Sequence, residues 1–119
     1  MQSQHVVIYQ NNAATAQVLA AGLAQHFNYV HLASDGCDLS ASISRHRASA
    51  VVLDLEKSGP GEVHRLHQEF PDLYIIGTHR LADDKLWAEA ITLGAADICE
   101  PRNPDVLRSL EKGLAKYAA

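Results

Sequence analysis

Asp54 ends the apolar run Ala50-Val51-Val52-Leu53, and this is where the chain is best placed to do chemistry. A run of that kind marks a strand covered on both faces of a parallel sheet, so its terminal carboxylate stands at the sheet's mouth. A carboxylate there can hold a metal ion or accept a phosphoryl group. Both tasks need helpers. A hard cation wants further charged oxygens, and phosphoryl oxygens want a cation beside them. The first expected strand, His5 to Tyr9, is followed by Gln10-Asn11-Asn12, which carry amides in place of acids. The last expected strand is followed by Glu100-Pro101, with no lysine.

The elements that must position these residues alternate between short β-branched runs and longer helical patterns. After His5 to Tyr9 comes a helix from Ala13 to Phe27, with Leu19, Leu23 and Phe27 at four-residue spacing and Asn12 as its cap. Tyr29 to Ala33 alternates as an outer strand. A short helix starts at Asp38 or Ser40 and runs to Arg47. The buried strand Ala50 to Leu53 precedes a helix opened by Pro60-Gly61 that runs from Glu62 to Phe70 and is stopped by Pro71. Leu73 to Gly77 is the next buried strand. A fourth helix, capped by Asp83 or Asp84, ends at Leu93 with Gly94 behind it. Ala95 to Cys99 is the fifth strand. Asn103-Pro104-Asp105 opens the last helix, with a cap, a proline and an acid in order.

Five such βα units imply a parallel sheet with helices on both faces and right-handed crossovers. Ligands then bind beyond the carboxyl ends of the strands, where residues 10–12, 54–57, 78–80 and 99–102 should gather. The sequence of 119 residues reads as one domain, 1–119, without linker or repeat. A net charge of −4 argues against direct nucleic-acid binding. No apolar run reaches the roughly 20 residues of a membrane span, and Met1-Gln2-Ser3-Gln4 is not the start of a secretory signal. Cys37 and Cys99 lack metal-type spacing and fit a reducing cytoplasm.

In this order the motifs resemble the receiver domain of bacterial response regulators, over essentially the whole chain. Asp54 matches the phosphoacceptor, and Thr78 the hydroxyl residue that ends strand four. Ala90-Ile91-Thr92-Leu93-Gly94-Ala95 matches the family's Ala-Leu-x-x-Gly-Ala, and Glu100-Pro101 its Lys-Pro. The resemblance implies a flavodoxin-like (βα)5 three-layer α/β sandwich, strand order 2-1-3-4-5. It also implies that active members hold Mg2+ with two acids after strand one plus the phosphoacceptor, and contact the phosphoryl group with the hydroxyl and the lysine. Here Gln10 and Asn11 stand in place of the acids and Glu100 in place of the lysine. If strand five is anchored on Gly94, Pro101 takes that position. A carboxylate a few Å from a phosphoryl group costs about 1–4 kcal/mol. His79 after Thr78 narrows access, and the loop Glu56 to Gly61 departs from the family's form. The matching Lys-Pro bond implies a cis Glu100-Pro101 bond.

The expected function is a non-catalytic signalling or protein-interaction module, a pseudo-receiver with Asp phosphorylation impaired or absent. Asp54, with Thr78 and Glu100, is then vestigial, capping loop amides or pairing with Lys57 or Arg80. No cofactor is expected. The candidate ligands for a weakly held Mg2+ are Asn11, Asp54 and Glu56. A protein partner or second copy would dock on the face of the fourth helix, fifth strand and fifth helix, marked by Trp87, Ile91, Arg102 and Arg108. The alternative is a receiver phosphorylated on Asp54 by a histidine kinase or a small phosphodonor. A third reading is a small-ligand or cation binder using Asn11, Asp54, Thr78 and Glu100. A close approach of Asp54 and Glu100 would raise one of the two carboxyl pKa values. His64 and His67 have helical chelate spacing but read as a solvated face. His5 and His31 read as strand-edge residues, and the basic positions of the last helix as a solvated face.

Overall fold

The computed structural model describes residues 2–114. Five strands form one sheet in the order β2-β1-β3-β4-β5, all neighbours parallel. They are β1 (Gln2–Tyr9), β2 (Phe27–Leu32), β3 (Ala50–Asp54), β4 (Tyr74–Thr78) and β5 (Asp97–Cys99). The helices are α1 (Ala13–Leu23), α2 (Gly36–His46), α3 (Leu55–Ser58), α4 (Pro60–Glu69), α5 (Asp84–Leu93) and α6 (Asn103–Leu114). The expected third helix is thus two pieces, and the expected fourth and fifth helices are α5 and α6. No helix is long and apolar enough to cross a membrane among the described residues.

The strand period of two divides the core. Val6, Ile8, Ala50, Val52 and Ile76 face α1 and α6, meeting Leu19, Leu23, Val106, Leu110 and Leu114. Val7, Tyr9, Val51, Leu53 and Ile75 face the other layer, meeting Leu39, Ile43, Val63, Leu66 and Ala90. Ala50, Val51, Val52 and Leu53 are all fully buried, as the unbroken apolar run requires. Burying a Val or Leu side chain contributes roughly 1.5–3 kcal/mol, which holds β3 central and its register fixed.

Several boundaries differ from the sequence reading. The first helix ends at Leu23, because His26 and Phe27 turn into β2. Phe27 is still buried beside Leu19 and Leu23, so the apolar spacing was real although its last member sits on a strand. The second helix starts earlier, capped by Asp35, whose side chain accepts from the Asp38 N–H. It ends at Arg47 in the left-handed conformation, φ 51°. The fifth strand shortens to Asp97–Cys99. Gly94 closes α5 at φ 123°, a conformation glycine adopts without a Cβ penalty. Asn103 does not stand ahead of α6 as a separate cap. It is the first residue of that helix, and its amide crosses to donate to the Val18 carbonyl in α1 at 3.1 Å.

Two features of this frame set up the sheet's mouth. The register pairs Asp54 with Thr78 and Thr78 with Cys99, while Tyr9 pairs with Leu53, so Gln10 emerges beside Asp54. Gly77 lets the α3 turn lie directly on the sheet. A Cβ there would stand 2.6 Å from Leu55 Cδ1 and 2.9 Å from Leu55 Cγ.

Candidate functional site

At the carboxyl ends of β1 and β3, where the strand order reverses, lies a cleft of about 180 Å3. It is lined by Gln10, Asn11, Asn12, Thr15, Asp54, Glu56, Arg80 and Pro101. A larger hollow of about 450 Å3 borders Ser49 and Leu73, next to the starts of β3 and β4. That is the wrong end of a parallel sheet for a ligand site, so the smaller cleft is the candidate.

Asp54 is 6% exposed and is the N-cap of the α3 turn. Its Oδ1 accepts from the Glu56 N–H at 2.9 Å, and its Oδ2 from the Asn11 N–H at 2.9 Å. The two backbone dipoles solvate the buried charge and tie β3 to the loop after β1. Thr78 is 1% exposed. Its hydroxyl accepts from Gln10 Nε2 at 2.9 Å and donates to the Leu53 carbonyl at 3.4 Å. Gln10 therefore occupies the hydroxyl that an acid at the same place would leave open.

Glu56 and Arg80 close one side of the cleft. The Arg80 guanidinium lies 3.0 Å from Glu56 Oε1, and its backbone N–H also points to that carboxylate, at 3.4 Å. The hydrogen bond from Arg80 holds the Glu56 carboxyl below its ordinary range, with burial opposing. The same bond raises the Arg80 pKa, and the charge of Asp54 adds a smaller contribution in the same direction. Lys57 turns away and sets its ammonium 5.5 Å above the Tyr9 ring.

Asn11, Asp54 and Glu56, the candidate metal ligands, do come together in one cleft. Their donors do not suit Mg2+, which wants several charged or hard oxygens in octahedral array. Both Asp54 oxygens accept backbone N–H bonds, Glu56 is paired with Arg80, and Asn11 contributes an N–H at this point.

Glu100 is a correction. It does not line the cleft. Its carboxylate lies 3.5 Å from Arg102 and is half exposed, while Pro101 occupies the wall. The alternative alignment anchored on Gly94 describes the geometry, and the facing carboxylates expected at the cleft do not meet. The small-ligand reading built on Asn11, Asp54, Thr78 and Glu100 loses its fourth member for the same reason. No cis peptide bond occurs among the described residues, so Glu100-Pro101 is trans, contrary to expectation. His79 does not wall the cleft either. Its Nδ1 accepts from the Leu81 N–H at 3.0 Å, capping its own turn. The Glu56–Arg80 pair was missed because its partners lie on different loops, and only the β3–β4 register brings them together.

On the flank formed by α5, β5 and α6, Trp87 is 49% exposed, and Leu81 just before α5 is 86% exposed. Ile91 is half buried against the core. Arg102 pairs with Asp105 at 3.1 Å, and Arg108 approaches Asp105 at 3.9 Å. His64 and His67 join no group of three metal-ligating side chains among the described residues. The His67 ring instead packs against Gly94, where a Cβ would stand 2.5 Å from His67 Cγ.

No family profile and no curated protein sequence matches the chain. Solved structures do. A response regulator from Thermotoga maritima superposes with TM-score 0.84 at 19% identity, covering 95% of this chain and 98% of the other. The N-terminal signal receiver domain of a response regulator from Bacteroides fragilis gives 0.84 at 23%, covering 94% and 97%. A response regulator from Burkholderia pseudomallei, solved with a phosphorylated aspartic acid and a calcium ion, gives 0.80 at 19%, covering 98% and 71%. At these identities the likeness establishes architecture: the chain has the flavodoxin-like fold of response-regulator receiver domains.

Proposed function

We propose that this chain is a non-catalytic signalling module, a cytoplasmic pseudo-receiver. It binds a protein partner or a second copy of itself through the α5-β5-α6 face. The observation that carries this reading is the state of Asp54. Both its oxygens are engaged by backbone amides, in a cleft whose other walls supply no second acid after β1 and no lysine. Accepting a phosphoryl group needs a free carboxylate oxygen, a dication, and a cation on the transferring oxygens. Here each Asp54 oxygen already accepts one backbone N–H, and amides stand where acids would help hold a dication. Exposure of Trp87 and Leu81 supports the choice of face, since large exposed apolar side chains are common interface anchors.

The alternative is phosphorylation of Asp54 by a histidine kinase or a small phosphodonor. One observation favours it: the Arg80 guanidinium borders the same cleft and could turn from Glu56 to phosphoryl oxygens. Backbone NMR with Mg2+ and beryllofluoride separates the two readings. The pseudo-receiver predicts unmoved amides at Asn11, Asp54 and Thr78. Saturable shifts that vanish in Asp54→Asn establish the phosphorelay reading instead. With the cleft silent, Trp87→Ala should leave the fold intact and weaken self-association or partner capture.

A further inference from the structure

Away from the cleft, three imidazoles converge from three different elements. His5 lies early on β1, His31 on the edge strand β2, and His46 is the last residue of α2. The register explains the meeting. His5 pairs with Tyr29 and Val7 with His31, so all four side chains leave the same face of the sheet, the face that α2 covers. Sequence reading placed His5 and His31 separately at strand edges and did not connect them with His46, because only the packing of α2 on this face brings the third ring in.

The rings form a near-parallel stack. The His31 and His46 centroids are 3.6 Å apart at 7°, His5 and His31 5.1 Å at 5°, and Tyr29 covers His5 at 4.2 Å. His5 Nδ1 and His31 Nε2 are 2.9 Å apart, sharing one proton. One ring nitrogen from each of the three residues lies within 4.8 Å of the others. A neutral imidazole has one donor and one acceptor nitrogen. Among the described residues these rings hydrogen-bond only with each other, and no carboxylate pairs with them. Charging His31 would place that charge against the two stacked rings beside it, which favours its neutral, metal-ligating form. The direction for His31 agrees: burial, then His46, His5 and Arg45, lower its pKa.

We propose that His5, His31 and His46 form a binding site for a divalent transition-metal ion, with Zn2+ as the reference ligand. Zn–N bonds of about 2.0–2.1 Å in a tetrahedron put ligand nitrogens about 3.3 Å apart. The present spacings, 2.9 Å for one pair and up to 4.8 Å overall, reach that by side-chain rotations of half-exposed rings. As the ion binds, the ring that carries the proton between His5 Nδ1 and His31 Nε2 tautomerises and holds it on its other nitrogen, so each imidazole stays neutral and offers a lone pair. Three neutral nitrogens leave a fourth position for water, and imidazole donors select Zn2+, Ni2+ or Cu2+ over Mg2+ or Ca2+. Arg45 is near enough to His31 to oppose the ion's charge, which weakens binding. The site is independent of the cleft. Gln10, just past the end of β1, lies five residue steps beyond His5, about 16 Å at strand rise. An ion there pins the outer strand β2 and the end of α2 to β1.

The test is titration of the untagged full chain with ZnCl2, followed by long-range 15N imidazole NMR and calorimetry. One ion should bind per chain and shift the ring nitrogens of His5, His31 and His46, not those of His64 or His67. Melting should rise by about 5–10 °C at a hundredfold excess over Kd. His31→Gln and His46→Gln, verified as folded by circular dichroism, should each weaken binding at least ~100-fold, beyond the 10–100-fold typical of lost outer-shell partners. His64→Gln/His67→Gln should bind as the parent does. If His31→Gln does not fold, His46→Gln at the helix end carries the comparison alone. Unmoved resonances of the three rings at saturating ZnCl2 overturn the proposal. So does parent-like affinity in folded His46→Gln.

Discussion

Truncating Asp54 distinguishes a structural cap from a poised acceptor. Its carboxylate receives two N–H bonds of 2.9 Å, from Asn11 and Glu56, and is 6% exposed. A hydrogen bond to a charged group contributes about 1.5–3 kcal/mol, and loss of an N-cap side chain alone costs about 0.5–2 kcal/mol. Asn11 and Glu56 are exposed residues, so water recovers part of the loss at both amides. Asp54→Ala should therefore cost about 2–4 kcal/mol, or a fall in melting temperature on the order of 10 °C for a domain of this size. Asp54→Asn keeps one carbonyl oxygen and loses the charge, so about half that cost is expected. Urea unfolding with matched m-values measures both. Amide exchange at Asn11 and Glu56 should quicken in the same variants. A carboxylate held ready for chemistry among other acids would behave oppositely, since removing its charge relieves repulsion. An Asp54→Asn chain as stable as the parent, or more so, would refute the capping role and with it the main support for a silent cleft.

Gly113→Ala should destabilise by about 1–2 kcal/mol: the added Cβ strikes the Tyr74 ring, and overpacking outweighs the ~1 kcal/mol helix-propensity gain. Pairing it with Tyr74→Leu should recover most of the loss, and a net gain in the single variant refutes the contact. For Glu56, the folded pKa is depressed by Arg80, so the pair's contribution is present above the ordinary value of 4.5 and is lost as pH falls through the lower folded value. Side-chain 13C titration should show that low midpoint moving up in Arg80→Ala, while unfolding curves near neutral pH stay almost unchanged; an unmoved midpoint counts against the pair. Cys99 is pushed up to about 12 by burial, with Asp97, Asp105 and Glu100 adding to it. Ellman's reagent on the native chain should therefore find one fast thiol, the exposed Cys37, and equal rates for both thiols contradict the burial of Cys99.

Periodicity and punctuation carried the architecture. The unbroken run before Asp54 marked a central strand, the alternation at Tyr29 to Ala33 an outer one that the fold places at Phe27–Leu32, and Gly94 a helix stop. These are local signals, set by side-chain burial and by backbone conformations that few residues tolerate, so a one-dimensional pattern holds them. Boundaries were less legible where one residue serves two elements. Phe27 continues the helix spacing yet starts a strand, since both settings bury it in the same layer.

The sequence by itself determined that Asp54 would sit at a sheet mouth without acids after β1 and without lysine after β5, because residue identity and strand order decide that much. Only the tertiary structure decided what fills the space. Gln10 turns to Thr78, Glu56 to Arg80 and Glu100 outward to Arg102, since side-chain partners follow from rotamers and loop paths that no spacing encodes. The same holds for His5, His31 and His46, dispersed along the chain and stacked in the fold, because strand register and helix docking set distances that sequence separation does not.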